Sequence, residues 1–431
     1  MPSLPEALRG AVRGLLGCAL PVCLAHAADG SYGGHLKGQF ALLTYPDDSL
    51  FRDELGADSR DYNLDVRLKL RLDAGPWEAA TDYQLIARYG ETLKLGRLAP
   101  GLETIPGSAP SDERRLFDLT WVMVDEDDAL ALQRLDRLYV GYRGDSWVAR
   151  GGRQVVTWGN GLVYTPMDFF NPFDPAAIDK EYKTGDDMLY GQYLRAGGDD
   201  LQAVWVVRRD PESGDVEPGV NTLALKYHGF FLDFEYDLLA ARHYGDAIAG
   251  VGGNHAVGGA IWRGDVTVTR GDEQSAVLLV TSLAYSWVMG GSNVSGLLEY
   301  FHNGFGIAGG TYGPQALAAH PDLTERVARG ELYTLGRDYL AASALIELTP
   351  LVLFTPNLFV NLNDPSALLQ LVGQFDLAQD LQLLAAFSLP IGAAGTEFGG
   401  IEWGGVGGDP GAPAAYLSTG PGLWGQIAWY F

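Results

Sequence analysis

The side chains best able to do chemistry are charged and lie between residues 150 and 187. Residues 179–187 alone contain four carboxylates and two lysines. Charges of both signs this close together can select ions, as rings of charged side chains do in selective pores. The candidates for a pore constriction are Arg150, Arg153, Asp168, Asp174, Asp179, Lys180, Glu181, Lys183, Asp186 and Asp187.

The chain around these charges has the composition of a long, structured loop. Residues 150–158 are strand-like, and the prolines Pro166, Pro172 and Pro175 cannot pair inside a sheet. Long structured loops are more often functional than disordered. We predict that residues 159–186 fold inward and narrow a pore. The alternative is a loop that caps the outer surface and only rigidifies its surroundings.

Arginines from neighbouring segments suggest a second feature. They are Arg134, Arg137, Arg150, Arg153, Arg195 and Arg208. A guanidinium group grips carboxylates and phosphates through a planar fork, so a ladder of arginines would favour anionic solutes. The alternative is that these arginines pair with carboxylates of the loop and the wall and serve only the structure.

No catalytic motif accompanies these charges. The histidines are scattered, without the spacing of an H-E-x-x-H metal site, and no G-x-S-x-G motif is present. We therefore predict no catalytic residue, no metal, no cofactor and no enzyme activity. Pairs such as Asn254-His255 and His302-Asn303 leave open a hydrolase whose Ser, His and Asp come from separate strands.

The elements that position these charges are predicted to be β-strands. In residues 62–73 apolar and polar side chains alternate strictly, which a strand sorts onto two faces and a helix does not. Similar alternation runs through 230–238, 369–377 and 381–389. Strands of about ten residues or more are long enough to cross a bilayer when tilted.

Short and long connections alternate along the chain. The predicted short turns are 74–76, 143–145, 196–200, 228–229, 263–265, 290–291, 349–350 and 379–380, and the predicted long loops are 46–60, 91–130, 159–186, 210–219, 243–253, 304–336 and 391–420. This asymmetry is typical of a transmembrane barrel. The fold class is therefore all-β, a transmembrane antiparallel β-barrel of about 18 strands (16 to 20) with an inward-folded constriction loop. Residues 116–124 form an extra strand or a hairpin above the rim, and 315–331 is partly helical.

The first residues have the pattern of an export signal. Arg9 and Arg13 precede an apolar stretch that ends at Ala25-His26-Ala27, a small-x-small cleavage pattern. We predict a signal peptide at 1–27 and one barrel domain at 28–431, so that export removes both cysteines, Cys18 and Cys23. The alternative is a first helix of the mature fold.

Composition narrows the class further. Apolar residues make up 47% of the chain, yet no stretch is long enough for a transmembrane helix. The net charge of −24 excludes nucleic acid as a partner. Acidic loops suit bridging to lipopolysaccharide through divalent cations, or simply solubility. Aromatic residues at predicted strand ends, among them Trp424 and Tyr430, suggest interfacial girdles, or alternatively a track for sugars.

The chain ends on a strand with one apolar face. Ile427, Trp429 and Phe431 point one way, and Gln426 and Ala428 the other. A terminal Phe on such a strand resembles the assembly signal of Gram-negative outer-membrane β-barrels. The resemblance implies a strand that faces lipid, recognition by the barrel-assembly machinery, and a location in the bacterial outer membrane.

A second resemblance concerns function. The pattern Gly152-Arg153-Gln154 with Trp158-Gly159 is similar to one in porin-like families, including alginate-export-type barrels. It implies an outer-membrane channel, monomeric or trimeric, for passive passage of small hydrophilic and possibly charged solutes. The alternatives are a closed barrel and the barrel sheath of an export or electron-transfer complex.

Overall fold

The computed structural model describes residues 29–98, 110–271, 274–405 and 414–431. The predicted signal peptide, with Cys18 and Cys23, lies outside the described residues, and the domain boundary at 27–28 stays a prediction.

One antiparallel sheet contains nearly all the strands. They are β1 (Asp29–Thr44), β2 (Asp58–Ala74), β3 (Trp77–Gly90), β4 (Thr120–Glu126), β5 (Ala129–Arg143), β6 (Trp147–Gln154), β7 (Asp186–Leu194), β8 (Asp200–Val206), β9 (Thr222–Phe231), β10 (Phe234–His243), β11 (Asp246–Val257), β12 (Ala260–Arg270), β13 (Ser275–Met289), β14 (Ser292–Asn303), β15 (Asp338–Thr349), β16 (Val352–Asn361), β17 (Ser366–Ala378) and β18 (Leu381–Ile391), and then β21 (Gly422–Tyr430). A separate hairpin joins β19 (Ile401–Gly405) and β20 (Ala414–Leu417).

Pairing of β21 with both β18 and β1 closes the sheet into a barrel. The ring contains 18 strands. Among the described strands, β4 pairs with β5 alone. It lies beside the part of β5 that the short strand β6 does not reach, so β4 and β6 together occupy one position in the ring. The predicted fold class and strand number are confirmed.

The described helices lie in the connections. They are α1 (Leu50–Leu55), α2 (Leu93–Leu98), α3 (Pro314–Ala318), α4 (Pro321–Ala328) and a 3-10 turn at Pro218–Val220. The helices α3 and α4 confirm the helical prediction for 315–331. None of the described helices is long and apolar enough to cross a membrane.

The strands have an apolar outer face and a polar inner face. In β2, Leu68, Leu70 and Leu72 are exposed on the outside, whereas Arg67 is buried on the inside. In β1, Leu36 is exposed, whereas Lys37 points inward and is buried. This two-residue period confirms the alternation seen in the sequence and surrounds the barrel with apolar side chains.

The two rims differ in the length of their connections. The terminal rim, which holds the start of β1 and the end of β21, has the short turns 75–76, 144–146, 195–199, 232–233, 258–259, 290–291, 350–351 and 379–380. The distal rim has the longer connections, including 45–57, 304–337 and 392–400. The predicted asymmetry is therefore present.

Three predicted connections were wrong. Residues 228–229 and 263–265 lie within β9 and β12, and the loop expected at 243–253 is only the turn Tyr244-Gly245. The two strand glycines have a packing role instead of a turn role. A Cβ on Gly229 would lie 2.8 Å from the Tyr236 ring, and one on Gly264 would lie 2.8 Å from the Trp262 ring.

A patch from elsewhere in the chain completes the wall next to β5. The strand β6 leaves the wall at Gln154, and the wall patch, residues 112–126, takes its place towards the distal rim. Within the patch, β4 pairs with β5, and Arg115 bridges to Arg208 beyond β8. The predicted extra strand near 116–124 is thus real and part of the wall.

Candidate functional site

Residues 155–185, here called the inserted loop, connect β6 to β7 through the inside of the barrel. The inserted loop contacts inward-facing side chains on opposite parts of the ring: Lys37 of β1, Glu299 of β14 and Gln370 of β17. The predicted inward fold is therefore present, and the alternative of a surface cap is wrong.

Two buried carboxylates of the wall hold the first part of the inserted loop. Glu299 accepts backbone N–H groups from Leu162 at 2.8 Å, from Val163 at 3.0 Å and from Tyr164 at 2.7 Å. Asp265 accepts the backbone N–H of Asn160 at 2.6 Å. Because a loop inside a barrel has no strand partners, these carboxylates satisfy backbone donors that would otherwise be buried unpaired.

Apolar packing fixes the middle of the inserted loop. Trp158, Met167, Phe169 and Phe170 are buried against a wall cluster of β7 to β11 that includes Val206. Each fully buried side chain of this kind contributes about 1.5–3 kcal/mol. The loop is therefore a packed element and not a tether.

A buried ion pair closes the base of the inserted loop. Lys183 donates to Asp168, and both side chains are almost fully buried. Burial raises the pKa of Asp168 to about 6, and Lys183 opposes that shift. The Asn171 side-chain amide also donates to the Thr184 carbonyl at 3.2 Å, which brings the two arms of the loop together.

Arg153 lies at the centre of a second buried network. Its guanidinium donates to both oxygens of Asp187 at 2.9 Å and to Asp112 of the wall patch at 3.0 Å. Burial alone would raise the pKa of Asp112, but Arg115, Arg153 and Arg134 hold it at about 2. Asp186 pairs with Arg208 at 2.9 Å.

Half of the predicted constriction residues are therefore buried in these networks and do not face open space. They are Arg153, Asp168, Lys183, Asp186 and Asp187, all less than 9% exposed. The physical reason is that each of these side chains has an oppositely charged neighbour, and this pairing offsets the cost of burying its charge.

The arginines of the proposed ladder are paired as well. Arg137 contacts Asp136 at 2.7 Å, Arg150 contacts Glu78, and Arg195 contacts Asp199 at 3.5 Å in a turn of the terminal rim. Arg134 lies 3.6 Å from Asp112. The alternative in which arginines pair with structural carboxylates is what the structure shows.

The tip of the inserted loop crosses the barrel to β1. Lys37 is 2% exposed, and its ammonium lies 2.6 Å from Asp179 and 2.7 Å from Glu181. The Tyr430 hydroxyl donates to Glu181 at 3.0 Å. Burial opposes ionisation of Glu181, but Lys37, Tyr182 and Tyr430 lower its pKa.

The ring of Tyr182 covers basic side chains of β2. It lies 4.3 Å from the Arg67 guanidinium and 4.4 Å from the Lys69 ammonium, and its hydroxyl contacts Lys69. Sequence reasoning missed Lys37 and Tyr182. The assignment of Tyr430 to an interfacial girdle was wrong, because its hydroxyl lies inside the barrel against Glu181 and beside the open cavity. The alternation of β1 and β21 could have placed Lys37 and Tyr430 on the inner face of the barrel. It could not have shown which side chains they would contact there.

An open cavity of about 400 Å³ remains beside the loop tip. On one side it is lined by Asp179, Lys180 and Glu181. The opposite wall consists of β16, β17, β18 and β21 and contributes Thr355, Asn357, Gln370, Gln374, Gln382, Gln426 and Tyr430. Asp174 is also exposed and caps the turn at Ala176. Of the predicted charges, these four loop residues and the partly exposed Arg150 are the ones that are not buried.

No group of His, Cys, Asp and Glu side chains in the described ranges is arranged to hold a metal ion.

The terminal strand has the predicted orientation. Ile427, Trp429 and Phe431 are between 44% and 48% exposed on the outer face, whereas Gln426 and Ala428 are buried inside. Phe431 also exchanges two backbone hydrogen bonds with Gly34 of β1, at 2.9 Å and 3.2 Å. The last residue therefore takes part in closing the barrel.

Deleting Phe431, or introducing Trp429→Asp, should reduce the amount of folded protein in the outer-membrane fraction. The deletion removes the Gly34 contacts, and the substitution places a charge on the lipid face. That cost is at most about 2–4 kcal/mol, the value for Arg or Lys at the bilayer midplane, and is smaller for Asp. Trp429→Phe keeps an apolar ring and is the matched control. Unchanged outer-membrane levels for both disruptive variants would contradict an assembly role.

Comparisons with known proteins agree with this geometry. No family model and no curated sequence matches the chain. Among solved structures, OccAB3 of Acinetobacter baumannii is similar with a TM-score of 0.52 and 10% identity, over 94% of this chain and 99% of that chain. A BenF-like porin from Pseudomonas fluorescens Pf-5 and OpdK, an outer-membrane protein from Pseudomonas aeruginosa, each give a TM-score of 0.51 and 9% identity, over 94% of this chain and 98% of theirs.

The chain thus has the fold of a porin-like outer-membrane β-barrel. At identities this low the similarity shows the fold alone. At the level of the fold, the predicted resemblance to porin-like outer-membrane barrels is confirmed.

Proposed function

We propose that this protein is an outer-membrane channel for passive passage of small hydrophilic solutes, with the inserted loop as its constriction. One observation carries the proposal: the inserted loop fills one side of the barrel but leaves the cavity of about 400 Å³ on the other. A barrel that served only as a scaffold would not need a packed loop that leaves such a cavity between itself and the wall.

The charges at the loop tip nearly balance one another. Lys37 faces two carboxylates, Asp179 and Glu181, and Lys180 lies beside them. Coulomb interactions are stronger in a partly desolvated constriction than in bulk water. Small changes in this balance should therefore determine which ions pass.

The surroundings of the barrel follow from its two rims and its outer face. We place the terminal rim in the periplasm and the long connections of the distal rim outside the cell, as in other barrels of this kind. The partners are then lipid and lipopolysaccharide around the apolar face, and the barrel-assembly machinery at Ile427, Trp429 and Phe431.

The decisive experiment is a planar-bilayer recording of the refolded protein. Discrete conductance steps in potassium chloride are expected. Their absence, with the protein shown to be folded and inserted, would overturn the channel proposal and favour a closed barrel or the sheath of a larger complex.

Opposite substitutions at the loop tip should shift ion selectivity in opposite directions. Lys37→Met leaves Asp179 and Glu181 unbalanced and should favour cations, whereas Asp179→Asn with Glu181→Gln leaves Lys37 unbalanced and should favour anions. One uncompensated charge at about 4 Å in water is worth about 1 kcal/mol, or roughly a fivefold change in the permeability ratio. Reversal potentials in a salt gradient measure it.

Arg195→Met is the matched control for this pair. It removes one positive charge from an exposed turn of the terminal rim, where salt screens it over about 10 Å at 0.1 M. Selectivity that changes equally in the control and in Lys37→Met would show that the loop tip does not control permeation.

A further inference from the structure

The inner surface of the barrel is divided into a charged part and an uncharged part. The strands β1 and β2 carry Lys37, Arg67 and Lys69, and the loop tip covers this part through Tyr182 and its neighbours. The wall of the open cavity contains no charged side chain among its lining residues. The space left for a solute therefore borders neutral groups on the wall side.

Side-chain amides dominate this uncharged wall. We call Asn357, Gln370, Gln374, Gln382 and Gln426 the amide wall. Several of its members are held in place. Gln370 donates to the Ala176 carbonyl at 3.0 Å, and Gln426 accepts from Gln39 at 2.7 Å. Within the described residues, the side chains of Gln374 and Thr355 have no hydrogen-bond partner, and both line the cavity.

A second cavity, of about 300 Å³, lies further along the same side. Its lining includes the neutral side chains Gln39, Asn63 and Trp424 and the charged side chains Asp61 and Arg88. Asp61 accepts a hydrogen bond from the Thr92 hydroxyl at 2.8 Å. In the pairing of β1 with β21, Trp424 lies on the distal side of the Gln39–Gln426 pair and Tyr430 on the terminal side. The two cavities therefore follow one another along the barrel, and a chain of amides lies between them. Tyr430 lines the first cavity, and Trp424 is one of the aromatic residues that line the second.

We propose that these two cavities form a binding track for uncharged, hydroxyl-rich solutes of monosaccharide size. The proposal deepens and rests on the channel function above. Each amide offers both a donor and an acceptor, so it matches a hydroxyl group in either direction. The cavity volumes fall in or near the range of about 300–1,000 Å³ for small-molecule sites, and aromatic faces suit the apolar face of a sugar ring.

Charged solutes fit this track less well. The basic groups that could attract an anion already have partners: Lys37 with Asp179 and Glu181, and Arg67 with Asp136 at 2.7 Å. Lys180, which lines the first cavity, donates to the Pro175 carbonyl at 2.9 Å, and Arg88, which lines the second, interacts with Asp61 and Asp65. A charged solute would give up part of its hydration to neutral amides and would have to compete for opposite charges that are already engaged, which is costly. An uncharged polyol exchanges hydrogen bonds with water for similar ones with the amides.

The test compares probes of similar size and different charge. Liposome swelling with glucose, gluconate and glucosamine should show the fastest entry for glucose. Glucose should also reduce the ion current of the channel in planar bilayers in a saturable manner. The double variant Gln374→Leu/Thr355→Val removes two unpartnered polar groups without changing charge. It should weaken this block by roughly fivefold to tenfold, the loss expected for one or two neutral hydrogen bonds.

Discrete conductance steps and heat-modifiable mobility show that the double variant has folded and inserted. Asp179→Asn with Glu181→Gln should shift ion selectivity strongly and should weaken the glucose block less than the double variant does. Faster entry of gluconate or glucosamine than glucose, or a block unaffected by the double variant, would overturn the track while leaving the channel intact. A protein that forms no channel would instead remove the function on which the track rests.

Discussion

Excising residues 172–182 should increase single-channel conductance several-fold while the barrel stays folded. This segment carries the loop tip that reaches Lys37 and borders the open cavity. Its ends lie close together, because the Asn171 amide donates to the Thr184 carbonyl. A short glycine linker can therefore join Asn171 to Lys183 and preserve the buried Lys183–Asp168 pair.

Excising only residues 172–182 tests the role of the loop tip more specifically than removing the whole charged region would. Asp186 and Asp187 belong to β7 and hold Arg208 and Arg153 in the wall, so a longer deletion would damage the barrel itself. The matched control shortens the exposed distal connection at 212–214, which lies away from the cavity. Equal conductance for the excision variant and the wild type would show that the loop tip does not limit the pore.

The second large effect is expected for Arg153→Met. Arg153 is fully buried and satisfies Asp187 and Asp112 together. Removing one partner of a buried ion pair typically costs about 3–5 kcal/mol, because the remaining charge stays buried. Here Asp187 would lose its Arg153 partner, while Asp112 would keep Arg115 and Arg134. The midpoint of urea unfolding in lipid vesicles should fall accordingly, and the variant should lose heat-modifiable mobility at a lower temperature.

Arg150→Met is the control for this prediction. Arg150 lies on the same strand and pairs with Glu78, but its side chain is partly exposed, so its loss should cost at most about 1 kcal/mol. Similar losses of stability in the two variants would contradict a special role for the Arg153 network.

The same network predicts an acid dependence. The folded-state pKa of Asp112, about 2, lies below its ordinary value of 3.8, so its stabilising contribution is complete above the ordinary value. It is lost as the pH falls towards 2. Arg153→Met removes one of the cations that lower this pKa, so in the variant this contribution should be smaller, and the acid-induced fall of the unfolding midpoint should be complete at a higher pH.

Much of the fold could be predicted because its signals are local. The alternation in residues 62–73 and the apolar face of Trp429 and Phe431 each require only one strand. The misplaced turns at 228–229 and 263–265 show the limit of this reasoning. Glycine and charged residues mark turns, but here they stand where an aromatic side chain packs over the backbone or where Asp265 anchors the inserted loop.

The site was less predictable because its contacts join distant parts of the chain. Lys37 and Asp179 are 142 residues apart, and nothing near either residue identifies the other. The sequence identifies the charges of 150–187 as candidates. Residue types alone do not distinguish Asp179, which lies beside the cavity, from Asp187, which is buried in the wall. Only the three-dimensional packing makes that distinction.

The wall patch implies a constraint on the order of assembly. In most of the barrel each strand pairs with its neighbour in sequence, so the sheet can grow one hairpin at a time. The sheet cannot grow in this way between β5 and β7. There the distal part of the wall consists of residues 112–126, which precede β5 in the chain and also bridge to residue 208. We call this junction the seam. Unpaired backbone groups are costly in lipid, so the hydrogen bonds of this seam must form before the folding barrel is released into the bilayer. Because the inserted loop connects β6 to β7, pairing of the seam also encloses the loop inside the barrel. A protein in which the seam stays unpaired would have a gap in its wall that opens towards the lipid.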